Sequence, residues 1–201
     1  MFNFWQNIDD LIFCSDEIIY FLAHMYLYRP YINNPIQDGH PIGDMMLYPN
    51  LQNREAKRYS MFSAIVAEKI YNYWDRIGDL IATYFPDLIK PSAADFARAI
   101  DIIPKSYQEN ANNQWLKNFK ENQYKELNTK RRQYVHYKTA DTQFKHEHLM
   151  KSTDIVEMEK LVFDRNDLAD YYKEQHKLTL LGFEKTMLLI EAITEKTLND
   201  I

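Results

Sequence analysis

Residues 130–138 read KRRQYVHYK and hold Lys130, Arg131, Arg132, His136 and Lys138 with no acid among them. Arginine presents a planar fork of donors that matches phosphate oxygens. Histidine takes up and returns a proton near neutral pH. Cleaving a phosphodiester needs both: a group that moves a proton, and a fixed cation where charge builds on the phosphate. On a regular helix Arg131 and His136 diverge by about 140°, whereas Arg132 and His136, four apart, share a face. One helix alone therefore focuses Arg131 and His136 poorly on a common atom. Either the helix bends or begins within the stretch, or two copies of it meet across a twofold axis that presents the same patch twice. A structural reading stands beside the chemical one. Arg131 and Arg132 can be solvated cations at a helix C-terminus, where positive charge is favoured. His136 can be a boundary residue between Val135 and Tyr137.

Competing chemistry is sparse. The chain has no Gly-rich phosphate loop, HExxH, paired CxxC or GxSxG element. His146 and His148 flank Glu147 in a stretch that reads as a polar connection. Two such histidines can bind a metal, but no partner set at metal spacing accompanies them, so neither metal nor cofactor is expected. Glu68, Asp75 and Asp79 line up on one face of a predicted helix. They form either a solvated acidic face or a support in which Asp75 or Asp79 orients a basic residue on a neighbouring helix. His24 reads as a satisfied core or boundary histidine.

The elements that must position these residues are helical. Apolar residues recur at three and four from Phe4 to Tyr28, and Pro30 stops that pattern. A second helix is expected from Arg54 to Tyr84, ended by Pro86. Gly78 sits inside it at a cost of about 1 kcal/mol against alanine, which close approach of another helix would offset. A short helix follows Pro91, with Ser92 as N-cap and Asp95 three residues on. A third major helix runs from near Lys105 to about Tyr137, and residues 140–152 form a connection. A last helix or helix pair covers Asp154 to about Leu198, with DRND (Asp164 to Asp167) as its break. Residues 29–53, with four of the chain's seven prolines, form the one long irregular segment. The expected fold is all-α, a single domain over residues 1–201, with four to five main helices in an antiparallel bundle.

Composition fits an ordinary globular chain: 46% hydrophobic and 26% charged over 201 residues. A net charge of −5 weighs against an extended nucleic-acid groove but leaves room for a small local phosphate site. The lone cysteine, Cys14, suits a reducing compartment. The opening MFNFWQNIDD lacks a basic segment and brings acids early, unlike a signal peptide. Apolar runs read as broken by charge before the ~18 residues a membrane span needs. A soluble cytoplasmic protein without a membrane partner is expected.

The Arg131-x4-His136 spacing, late in a small all-helical chain, resembles the motif of the HEPN superfamily: Arg, four to six residues, then His, often with a polar residue directly after the Arg. Arg132 fills that polar position. Tyr73 to Ile81, YWDRIGDLI, resembles the long second helix of some uncharacterised bacterial HEPN proteins. The resemblance implies metal-independent RNA cleavage by a homodimer, with the motifs of two protomers forming one composite cleft. His136 would handle the proton of the ribose 2'-hydroxyl or of the leaving oxygen, and Arg131 would stabilise the phosphate. Arg132, Tyr137 and Asp75 would support the site. The products would be a 2',3'-cyclic phosphate and a 5'-hydroxyl, in the setting of a toxin–antitoxin pair or defence against phage. Other members have lost cleavage. The alternative is therefore a non-catalytic module that binds RNA, a nucleotide or another protein. A cognate antitoxin or a nucleotidyltransferase-like protein would be the partner.

Overall fold

The computed structural model describes residues 3–50, 52–90, 93–132 and 140–199. Its helices are α1 (Phe4–Tyr28), α2 (Arg54–Ala82), α3 (Phe96–Asp101), α4 (Ala111–Phe119), α5 (Lys125–Arg132), α6 (Ala140–Lys151) and α7 (Ile155–Asn199). The fold is all-α. The small exception is a hairpin of β1 (His40–Ile42) and β2 (Met45–Leu47), which pair antiparallel with His40 opposite Leu47. Gly43, at φ +62, takes the first position of its two-residue loop, where most side chains would be strained.

The chain forms two compact units. The first is built from Met1–Ile18, Lys69–Thr129 and Gln175–Ile201, and the second from Ile19–Glu68 and Lys130–Glu174. The first unit is organised around Trp74, which is fully buried. Phe119 stacks on it with ring centroids 4.0 Å apart, and Phe96 lies tilted at 4.8 Å. Gly182 of α7 faces this indole so closely that a Cβ would lie 2.2 Å from its Cη2. Gly78 is as constrained. A Cβ there would stand 2.5 Å from the Phe96 nitrogen and 2.6 Å from the Asp95 carbonyl carbon. The close approach expected at Gly78 is thus present, and the approaching element is the start of α3.

In the second unit the fully buried Tyr59 reaches into one turn of α7. Its hydroxyl donates to the Asn166 carbonyl at 3.2 Å and accepts the Ala169 N–H at 3.1 Å. The long segment between α1 and α2 is fastened at Tyr48. The Tyr48 N–H donates to the Ser152 carbonyl at 3.0 Å, and its own carbonyl accepts from His148 Nε2 at 2.8 Å. A carbonyl only accepts, so Nε2 carries the His148 proton. The Tyr48 ring packs with Phe144, Met158, Leu161 and Ile36.

Several expectations need correction. Residues 140–152 are not a connection, since α6 fills most of the stretch. Its amphipathic signal is faint because, among the described residues, it buries only two side chains, Phe144 and His148, four residues apart. DRND does not break the last helix, and α7 runs continuously through it. Charge at Asp164 and Asp167 is harmless there because both residues are exposed and water reaches them. The third helix is subdivided into a 3-10 turn at Lys105–Tyr107, α4, five residues of π-helix at Lys120–Tyr124, and α5. The second ends at Ala82, two residues early, as Tyr84 and Phe85 donate to carbonyls only three back. Finally, α1 with the turn after it, Phe4–Tyr31, is long and apolar enough to cross a membrane by length and composition. Its best 18-residue window has a mean hydropathy of 1.2. Asp16 and Glu17 fall inside every 18-residue window of that span, yet the flanking residues are apolar enough to outweigh two charges.

The expected cap Ser92 lies outside the described residues, and Asp95 caps α3, its side chain accepting the Arg98 N–H at 2.8 Å. Asp95→Ala removes that acceptor. It is expected to cost about 1 kcal/mol, measured by urea unfolding, and an unchanged midpoint would deny the cap its role.

Candidate functional site

The basic stretch begins in the last turn of α5, where Lys130, Arg131 and Arg132 follow one another. Cations suit this end of a helix, because its last carbonyls carry partial negative charge. The approach to it is the widened turn Lys120–Tyr124, a local register change that π segments introduce. Lys130 is held by the face of Tyr171 on α7, with Nζ 3.6 Å from the ring centre. Arg131 is half-buried and Arg132 is exposed to solvent. His136 and Tyr137 fall within residues 133–139, which lie outside the described residues.

Asp75 is half-buried in the first unit, whereas Arg131 and Arg132 belong to the second. Asp75 accepts from the Tyr124 hydroxyl at 3.4 Å, and Tyr124 stacks on Tyr71 with centroids 5.5 Å apart. Burial, first, and then Tyr71 and Asp75 drive the Tyr124 phenol far above its usual range, so it stays a proton donor. Of the other acids on that face, Glu68 is exposed. Asp79 accepts from Arg76 at 3.1 Å. Burial raises the Asp79 pKa, against the pull of Arg76.

The remaining histidines separate by environment. His146 is exposed, while His148 is buried and bonded to Tyr48. Two residues apart on a helix they face away from each other by about 200°, which removes the metal reading open to a loop. Among the described residues no three His, Cys, Asp or Glu side chains gather in a way that could hold a metal ion. His24 is satisfied as expected, its Nδ1 2.8 Å from the Tyr20 carbonyl. Cys14 is buried, its thiol donating to the Lys69 carbonyl at 3.3 Å, and burial pushes its pKa up to about 11.

One polar residue escaped the reading of the sequence. Arg165 of α7 is buried at 6% exposure. The signal was there in the spacing: Met158, Leu161, Val162, Arg165, Ala169 and Tyr172 follow a helical stripe, and all of them are buried. A charge on an apolar stripe marks a buried cation.

The family model of HEPN_Cthe2314-like HEPN matches residues 5–187. The chain belongs to this HEPN family. The match takes in α1 through most of α7, and with them the whole basic stretch. No curated protein and no solved structure matches the chain. Membership of the HEPN family agrees with the resemblance carried by Arg131 and His136 and with the helical fold.

Proposed function

We propose that this HEPN protein is a metal-independent endoribonuclease that acts in the cytoplasm as a homodimer. Arg131 and His136 of two protomers form one composite site in this reading. The observation that carries it is the placement of the Arg-x4-His motif: it lies inside the matched HEPN region and opens from a helix end bearing three successive cations. His136 moves the proton of the ribose 2'-hydroxyl or of the leaving oxygen, and Arg131 stabilises the charge on the phosphate. Arg132 and Tyr137 support the pair. A second copy supplies the geometry that a regular helix would lack, since on such a helix residues five apart diverge by about 140°. A toxin–antitoxin or phage-defence setting fits such an activity, with an antitoxin or a nucleotidyltransferase as partner. The lone, unreactive thiol of Cys14 suits a reducing compartment.

The test is single-stranded RNA incubated with the purified protein, with and without EDTA. Fragments ending in a 2',3'-cyclic phosphate and a 5'-hydroxyl, unchanged by EDTA, are expected. Light scattering coupled to gel filtration is expected to give a dimer. A strict monomer at tens of micromolar would remove the composite site. A well-formed dimer that cleaves none of several RNAs would leave a non-catalytic binding module.

A further inference from the structure

Arg165 is a buried cation with no anion paired to it among the described residues. One Nη donates to the Asn33 carbonyl at 3.0 Å, and the guanidinium lies over the Phe144 ring at 4.3 Å. Its Nε is buried and has no hydrogen-bond partner. Among the described residues no carboxylate forms an ion pair with it. Burial lowers its pKa to about 10, so it stays charged at neutral pH. A buried charge of this kind is costly unless something pairs with it.

The space beside it explains what could. Arg165 lines a cleft of about 130 Å³ within the second unit, formed by α2, α6 and α7. One water needs about 10–15 Å³ of such space, so the cleft has room for a small organic molecule. Phe144, Leu161 and Leu168 give it an apolar wall, and Ser60 adds a buried hydroxyl. Two acids also line it, Glu147 and Asp164. Neither pairs with Arg165. Glu147 is half-buried and accepts from Gln143 Nε2 at 2.9 Å, and Asp164 is exposed.

These charges narrow the ligand. A lone guanidinium asks for one carboxylate, which it can bind through two parallel hydrogen bonds. The two acids repel multiply charged anions such as nucleotides or an RNA strand, and they attract an ammonium group. The apolar wall accepts an aliphatic or aromatic side chain. We propose that the cleft of Ser60, Phe144, Glu147, Asp164, Arg165 and Leu168 binds a free amino acid, its carboxylate on Arg165 and its ammonium facing Glu147 and Asp164. This site is separate from the Arg131–His136 reading and does not depend on it.

The experiment is isothermal titration of the full chain with each of the twenty proteinogenic L-amino acids. Each one that binds is then tested beside its deaminated acid, its decarboxylated amine and inorganic phosphate. At least one apolar amino acid is expected to bind, with the deaminated acid and the amine each weaker by more than about tenfold. Arg165→Met, checked for a wild-type circular dichroism spectrum, is expected to weaken the amino acid by the same margin. Glu147→Gln, on the half-exposed side of the cleft, is expected to weaken the amino acid and leave the deaminated acid unchanged, and it keeps the test decisive if Arg165→Met does not fold. Absence of binding by all twenty would overturn the proposal. So would tighter binding of phosphate or of the deaminated acid, or affinity that survives both substitutions.

Discussion

His136→Ala is expected to lower RNA cleavage by about 10²- to 10⁴-fold, the usual cost of losing a positioned acid–base group. Arg131→Ala is expected to fall by about 10²- to 10³-fold, because it withdraws a fixed donor from charge that develops only in the transition state. The size of the effect follows from the poverty of alternatives. The stretch from Lys130 to Lys138 is the only part of the sequence that joins a histidine to several cations without an acid. Arg132→Ala should do less, since Arg132 is exposed and only supports the pair in the proposed site. The measurement is initial rate on one RNA, with each variant matched to wild type by circular dichroism and by oligomeric mass. Cleavage that persists at the wild-type rate in His136→Ala would remove the assignment. A composite site adds a sharper expectation. Mixing the two inactive variants should restore part of the activity if each half-site draws its arginine and its histidine from different protomers, because the mixed dimer then holds one intact pair.

Gly182→Ala is expected to produce a large loss of stability from a single added methyl. The new Cβ would stand 2.2 and 2.5 Å from two carbons of the Trp74 ring. That ring has nowhere to retreat. It is fully buried and backed by Phe119 and Phe96. Alanine would gain up to about 1 kcal/mol in helix preference, and overpacking of a closed core costs typically 1–3 kcal/mol and occasionally more. The clash dominates, for a net loss of about 2 kcal/mol and a fall of roughly 4–8 °C in melting temperature for a chain of this size. A second change identifies the cause. Combined with Trp74→Phe, the alanine should cost much less than it does alone, which a double-mutant cycle reads directly. An unchanged or raised melting temperature in Gly182→Ala would contradict the contact.

The sequence made some of this legible and hid the rest for identifiable reasons. The first helix matches its expected bounds, Phe4 to Tyr28, because a dense apolar stripe and Pro30 both mark them. Gly78 announced a close approach because glycine inside a helix is otherwise a loss. The identity of the approaching element, the capped start of α3, depended on tertiary contact. Helix α6 was hidden because two buried side chains make too short a pattern to detect. The DRND misreading came from treating charge as a breaker, although exposed carboxylates leave helix hydrogen bonding intact. The cleft around Arg165 gathers residues from Ser60 to Leu168, and no motif joins positions that far apart. At the basic stretch, residue types and spacing pointed to a chemistry. The supporting contact of Lys130 with Tyr171 could only come from the folded chain.

The hairpin between α1 and α2 offers the experimenter a handle. Tyr48 secures its base through both main-chain groups, while a Cβ placed at Gly43, at the tip, would meet nothing within 4 Å. The neighbouring Asp44 is exposed, and Cys14, the only thiol, is buried and slow to ionise. Asp44→Cys therefore gives a single reactive sulfur on an anchored mount. A dye or spin label attached there would sit at one defined point on each copy of the chain, so the spacing between two labels becomes a ruler for how copies assemble.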